Sequence, residues 1–213
     1  MEKIKQIFNS QHANAYDQKA MKARWLDPAI VFGMAYRFVN PQERVLDIGI
    51  GTGLSSELFF KAGLEIYGID FSHQMLELCR LKEMAQELKE HDLSLTPYPY
   101  PDSFAHHAVC TGVTHIFEDI TPIFKEVSRI IKKNGVFAFV VAHCDEGEKR
   151  KRPVNSHGNP RKDNMLMYGY SDRHIKTLME EHGFSPVYDL LFNACAIGNQ
   201  PGRYKARVIQ KLP

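Results

Sequence analysis

No apolar run in the sequence approaches the roughly 18 residues that a membrane-spanning helix needs, so no membrane span is expected. The opening stretch MEKIKQIFNSQHANAY lacks the apolar core of a secretory signal. The four cysteines, Cys79, Cys110, Cys144 and Cys195, lie far apart and form no CxxC pair. Without a signal, reduced and mostly buried thiols in a cytoplasmic protein are the expectation. A formal net charge of +2 is too small to make nucleic acid or a membrane surface the expected main partner. There is no internal repeat and no low-complexity segment. Metal chemistry is also not expected. His106 and His107 are adjacent, so on a strand they point to opposite faces, and no further ligand is suitably spaced.

What remains is an ordinary globular composition, 44% apolar and 24% charged over 213 residues, enough for one domain with a substantial core. Residues 1 to 26 are polar and mixed, and one or two helices are expected there. Asp27-Pro28 reads as an N-cap followed by proline at the first helical position. Ile30, Val31, Met34, Ala35 and Phe38 recur at helical spacing beyond it. Strand–helix alternation follows. Val45 to Ile48 is a strand; Leu54 to Ala62 a helix closed by Gly63; Glu65 to Asp70 a second strand. A longer helix capped by Ser72 carries Met75, Leu76, Cys79 and Leu88 on its buried stripe. Asp92 to Thr96 is expected as a third strand and Ala108 to Val113 as a fourth. A helix begins at Thr121-Pro122, and VFAFVVA is the fifth strand. This order implies a parallel sheet wrapped by right-handed crossovers. The polar stretch Asp145 to Gly169 reads as a long functional loop. Ser171 caps one more helix, and Val187 to Phe192 and Arg203 to Gln210 form an antiparallel strand pair.

The centre of this plan is VLDIGIGTG, Val45 to Gly53, a buried strand running into a glycine turn with a helix behind it. In an open α/β sheet a ligand binds at that carboxyl edge. A dinucleotide site needs GxGxxG, so that a pyrophosphate can rest on the helix N-terminus. Here the spacing is GxGxG, and Asp47 stands two residues before Gly49. That carboxylate would oppose a pyrophosphate but suits a ligand with an ammonium and a sulfonium, as in S-adenosylmethionine. Asp70, closing the second strand, can accept both hydroxyls of a ribose. NAD sites share that feature, so Asp70 alone does not discriminate. Asp92 lies where an adenine amino group could donate to it, although a loop acid capping its own turn would look the same.

These segments together with IYGIDFSHQML, HDLSLTPYPYPDSF, TGVTH and EVSRIIKKNGVFAFV resemble the successive motifs of class I S-adenosylmethionine-dependent methyltransferases. The branch is similar to the small ubiquinone/menaquinone-biosynthesis type. The resemblance covers about Val39 to Ala142, with a weaker echo in YSDRHIKTLMEEHGF and the last strands. It implies an α/β Rossmann-like three-layer sandwich. Its seven-stranded sheet is mostly parallel, with an antiparallel last-inserted strand, and an N-terminal helical lid covers the site. The expected layout is one domain over 1–213: a lid at 1–40, a cofactor-binding core at 41–143, a substrate-side loop at 144–170, and a C-terminal helix and strand pair at 171–213. Carried over by position, Asp47, Gly49, Gly51 and Gly53 line the methionine part of the cofactor and Asp70 holds the ribose. Phe71 and Met75 flank the adenine, Asp92 and Leu93 meet its edge, and Thr111 sits beside the methionyl group. Tyr16 resembles the lid tyrosine of many of these enzymes, and Arg24 and Trp25 could join it. One departure is visible: Ala105 follows Phe104 where the family usually has Asp, at the start of the fourth strand and away from the cofactor.

The expected function is methyl transfer from S-adenosylmethionine to a small-molecule acceptor by in-line displacement, leaving S-adenosylhomocysteine. Such a reaction needs alignment and a dry pocket more than a fixed catalytic motif. A general base is needed only if the acceptor must lose a proton. His115, after the fourth strand, and His143, after the fifth, are the candidates for it. The basic run Lys149 to Arg152 could draw an acidic substrate, though Asp145, Glu146 and Glu148 beside it suit a solvated loop. Three alternatives stay open: an RNA or protein methyltransferase, a nucleotide-binding oxidoreductase, and an S-adenosylmethionine-binding module without turnover.

Overall fold

The computed structural model describes residues 15–148, 151–155, 164–195 and 201–213. Two short helices come first, α1 (Tyr16–Lys22) and α2 (Asp27–Ala35), the second running into a 3-10 turn at Tyr36–Phe38. The alternating part is β1 (Arg44–Ile48), α3 (Glu57–Lys61), β2 (Glu65–Asp70), α4 (His73–Arg80), β3 (Ala85–Glu90), β4 (His107–Cys110), α5 (Thr121–Ile130) and β5 (Val136–Ala142). Then come β6 (Lys151–Asn155), β7 (Asn164–Tyr168), α6 (Asp172–Glu181), β8 (Phe184–Cys195) and β9 (Pro201–Lys211).

Seven strands form one sheet in the order β3-β2-β1-β4-β5-β9-β8. The five strands from β3 to β5 are mutually parallel, and β9 enters antiparallel between β5 and β8. The strand order reverses between β1 and β4, which opens a crevice at their carboxyl ends. Along β5 the side chains alternate between two cores. Phe137, Phe139 and Val141 face α5 and α6, while Val136, Ala138 and Val140 face α2, α3 and α4. The sandwich is therefore three-layered, as the sequence implies. Among the described residues no helix is long and apolar enough to cross a membrane. Cys79, Cys110 and Cys144 are buried.

Three expectations are corrected. The third strand is not Asp92 to Thr96, which forms turns, but Ala85–Glu90. The helix before it stops at Arg80, and Glu83 turns the chain at a φ of 50°. Leu88, expected on that helix, sits in β3 and packs toward the α2–α4 core. The run RLKEMAQELKE is rich in good helix formers, yet pairing with β2 overrides that local preference. Next, the stretch 145–169 is not one loop: β6 and β7 pair antiparallel, Lys151 opposite Tyr168 and Asn155 opposite Asn164. A strand spelled KRPVN carries too few apolar residues to announce itself. Finally, α3 starts at Glu57, because residues 51–56 are taken up by the turns after β1.

That glycine turn is packed unevenly. A Cβ on Gly49 would fall 2.4 Å from the stiff side chain of Val113, at a φ of 75°. On Gly53 it would meet Met84 and Cys79. On Gly51 it would meet nothing within 4 Å. Gly49→Ala should therefore combine left-handed backbone strain with overpacking, costing roughly 2–4 kcal/mol. Gly51→Ala should cost about 1 kcal/mol, from strain alone. Thermal or urea unfolding of the two unliganded variants should rank them in that order; equal losses would contradict this packing.

Candidate cofactor site

Asp47 lies near the end of β1 and is 1% exposed. Ser56 donates its hydroxyl to Asp47 Oδ2 at 2.7 Å. Burial pushes the Asp47 carboxyl up to about 7, and the nearby charge of Asp70 adds to this. Asp70 closes β2, the parallel neighbour of β1. Its Oδ2 accepts the Gly51 N–H at 2.9 Å and its Oδ1 the Ser72 N–H at 2.8 Å. Even with those donors, burial raises it to about 6. One carboxylate thus ties the glycine turn to the start of α4. Ser72 in turn caps α4 by accepting the Met75 N–H at 3.2 Å. Phe71 is half-buried beside Asp70, and Met75 is buried in the first turn of α4.

Because β3 ends at Glu90, Asp92 follows that strand rather than preceding one. The His91 N–H donates to the Asp70 carbonyl at 2.8 Å, which fastens the Asp92 segment beside the Asp70 edge. Asp92 Oδ1 accepts from Ser94, from N–H at 2.9 Å and hydroxyl at 2.7 Å, so the acid also caps its own turn. Leu93 is buried, and its carbonyl accepts the Tyr98 hydroxyl at 3.0 Å. The turn-rich segment beyond is clamped from α5. Glu126, 2% exposed, accepts the Tyr98 N–H at 2.8 Å, and Arg129 donates to Glu126, Asp102 and the carbonyls of Tyr98 and Tyr100. Thr111, just past β4, is buried and hydrogen-bonded to Ser55, which belongs to the turns before α3.

The N-terminal helices close over this edge. Tyr16 is at the start of α1, with its ring edge-on to Trp25 at 6.5 Å. Burial raises the phenol well above its usual range, and Asp70, Asp27 and Asp17 all add to the shift. Asp17 gives no signal in the sequence, where it reads only as an acid in a first helical turn. It accepts the Thr52 hydroxyl at 2.5 Å and the Lys82 ammonium at 2.6 Å, so it pins α1 to the glycine turn. Asp27 also differs from expectation. It is the first residue of α2 rather than its N-cap, it makes no cap hydrogen bond, and it is 5% exposed.

The two histidines are not placed alike. His115 is in a 3-10 turn, Thr114–Ile116, that follows β4. Burial holds its imidazole down at about 4, so it is neutral at physiological pH. His143 follows β5 and is buried, with two acids near its ring and no hydrogen bond at Nδ1 among the described residues. Its Nε2 is 3.4 Å from Asp145, and its Nδ1 is 3.7 Å from Asp172, which also binds Lys205 and Arg207. His106 and His107 are engaged separately. His106 Nδ1 accepts the Arg44 N–H at 2.9 Å, and His107 Nε2 meets Glu43 at 3.0 Å. Among the described residues no three potential ligands are grouped for a metal. Lys149 and Arg150 lie outside the described residues; Lys151 sits over the Tyr168 ring at 5.5 Å.

The donor set has a clear chemical sense. Asp47 and Asp70 are buried acceptors with raised pKa values, and among the described residues neither has a Lys or Arg partner. The space open at Gly51 adjoins them. Such a site favours a ligand that brings positive charge and hydroxyl donors, and it repels a pyrophosphate. S-adenosylmethionine fits that description.

A family model described as a methyltransferase domain matches residues 46–139. The chain is 27% identical over 142 residues to an uncharacterized methyltransferase, YcgJ, of Bacillus subtilis, covering 64% of this chain and 54% of that protein. It is 31% identical over 103 residues to a phosphatidylethanolamine N-methyltransferase of Cereibacter sphaeroides, covering 46% and 49%. The chain thus spans about half the length of the curated relatives it matches. Among solved structures, an S-adenosylmethionine-dependent methyltransferase from Methanosarcina mazei superposes with a TM-score of 0.73 at 17% identity, over 84% of this chain and 97% of that one. A magnesium protoporphyrin IX methyltransferase from Synechocystis with bound S-adenosylmethionine gives 0.70 at 15%, over 98% and 95%. The motif order, the seven-stranded sheet with its reversed β9 and the family match lead to one assignment: the chain carries a methyltransferase domain over residues 46–139, and its relatives and fold support a class I S-adenosylmethionine-dependent methyltransferase.

Proposed function

We propose that the protein transfers a methyl group from S-adenosylmethionine to a small-molecule acceptor in the cytoplasm. The observation that carries this reading is the pair Asp47 and Asp70, two buried carboxylates flanking the turn with no cation of their own among the described residues. When bound, S-adenosylmethionine supplies an electrophilic methyl group on a sulfonium. The chain's part is to hold and align. Asp47 and the backbone around Gly51 meet the methionyl end, and Asp70 accepts the ribose hydroxyls with its remaining lone pairs. Asp92, Leu93, Phe71 and Met75 frame the adenine. Thr111 and the Tyr16–Trp25 pair close the reacting side from water. His115, held neutral, serves to orient an acceptor by hydrogen bonding. His143, with Asp145 and Asp172 near its two ring nitrogens, is the candidate for a general base if the acceptor must lose a proton. The formal charge of +2 speaks against an RNA substrate.

Asp70→Ala should weaken S-adenosylmethionine binding by about 1.5–3 kcal/mol, the scale of a charge-assisted hydrogen bond. Calorimetry on the folded variant checks this, and an unchanged affinity would remove Asp70 from the site. Release of S-adenosylhomocysteine with members of a broad acceptor panel tests turnover itself; cofactor binding with no release would favour a binding module.

The raised pKa values add a pH signature. A carboxyl whose folded value lies above its unfolded value of about 4 stabilises the fold at low pH. That contribution is lost as pH rises through the folded value, here about 7 for Asp47 and about 6 for Asp70. Unliganded Asp47→Asn should thus be more heat-stable than the parent at pH 8 and equal to it near pH 4. A cationic ligand needs the ionised acids, so parent S-adenosylmethionine affinity should drop as pH falls below about 6. Thermal unfolding and calorimetry across that range measure both; a pH-independent difference between Asp47→Asn and parent would contradict the assignment.

A further inference from the structure

Among the described residues the most exposed large apolar side chains are Leu81, at 80%, and Met21, at 78%. The fold brings them to one place. The Lys82 ammonium donates to Asp17 at 2.6 Å, which joins α1 to the turn that ends α4. Met21 is one helical turn beyond Asp17, on the same side of α1. Leu81 directly precedes Lys82 and is the C-cap of α4. Both therefore flank one ion pair. The Arg24 N–H donates to the Met21 carbonyl at 3.0 Å, where the chain turns out of α1, and Leu26, 49% exposed, follows at that turn. The charge around these apolar side chains is one-sided. Lys19, Lys22, Arg24 and Arg80 are exposed. Of the acids on residues 15–26 and 77–83, Asp17 is held by Lys82 and Glu77 by Arg80, which leaves Glu83. Among the described residues no ion pair engages Lys22 or Arg24.

We infer that the face formed by Met21, Leu26 and Leu81 is a docking surface for a lipid bilayer that contains anionic lipids. Aliphatic side chains standing out of a cationic ground match such a surface: the apolar tips enter the acyl boundary while the long basic chains meet headgroup phosphates. Single-stranded nucleic acid fits less well, because its bases need exposed aromatic platforms, and Trp25 packs against Tyr16 and Gly112. The small overall charge of +2 does not oppose the contact, because a bilayer feels the charges within about a Debye length of it, roughly 8–10 Å. Three apolar side chains are too few for permanent insertion, so the docking is reversible and weakened by salt. Its place in the fold gives it a consequence. Asp17 pins α1 to the glycine turn, so the docking face is on the helix that closes over the proposed cofactor site. The inference is independent of which acceptor is methylated.

The whole protein is sedimented with vesicles of phosphatidylcholine and, separately, of phosphatidylcholine mixed with phosphatidylglycerol. The expected result is binding to the mixed vesicles alone, lost as salt is added. The double substitution Met21→Ser with Leu81→Ser, and separately Lys22→Glu, should each weaken that binding at least about fivefold. All three side chains are exposed, so both variants should fold and keep the parent's affinity for S-adenosylhomocysteine in calorimetry. Equal binding to the two kinds of vesicle, binding to neither, or undiminished binding by the Met21→Ser, Leu81→Ser protein overturns the proposal. So does retention of single-stranded RNA in place of the mixed vesicles, which would assign the basic residues to nucleic acid. A parent protein that docks on the mixed vesicles but does not bind S-adenosylhomocysteine would sink the methyltransferase reading and leave the docking surface standing.

Discussion

The bond from Gly51 to Asp70 is what the site depends on. A glycine turn is by itself a flexible linker, and a carboxylate at a strand end is by itself a solvated acid. Accepting the Gly51 N–H with one oxygen and the Ser72 N–H with the other, Asp70 fixes the turn after β1 against the entry to α4. Ser72 then orders the first turn of α4, and His91 ties the Asp92 segment to the same β2 terminus. Three loops that sequence separates are brought to one edge. Parallel pairing of β1 with β2 makes this possible, because it puts both carboxyl ends on the same side.

The second constraint is electrostatic. Asp47, Asp70 and Asp27 are taken out of water without Lys or Arg partners among the described residues, and their pKa values rise accordingly. Asp17 is the exception, because Lys82 balances it and Thr52 holds it in place. The acids therefore differ in what they do. The balanced one fastens α1 to the glycine turn, and the others are left without a cation among the described residues. Unpaired buried charge costs stability in the empty protein, which is a common trade at ligand sites.

The legible parts of the sequence are those where local pattern and tertiary context agree. VLDIGIGTG combines a short apolar run with closely spaced glycines, and few structures other than a strand and a tight turn satisfy both. Ser72, Ser171 and Thr121-Pro122 announce helix starts that the fold uses. The residues from Arg80 to Glu90 read as helix because their local preference is helical while β2 offers them an edge to pair with; one sequence carries no trace of that offer. The β6–β7 hairpin is hidden by its charge and proline. Asp27 reads as a helix cap because Asp-Pro usually is one, and only the fold shows it turned inward, to the indole of Trp25. Asp17 and Thr52, 35 positions apart, meet only because α1 packs against the turn after β1.

The insertion of β9 between β5 and β8 bears on how the chain assembles. β8 is made first but touches the sheet only through β9. Until β9 pairs with β5, β8 is not joined to the sheet. The two strands must dock as a preformed hairpin, or β9 must zip onto β5 with β8 following. Either way, β8 owes its place in the sheet to β9, and the two strands stand beyond β5, away from the β1–β2 edge that carries the proposed cofactor site.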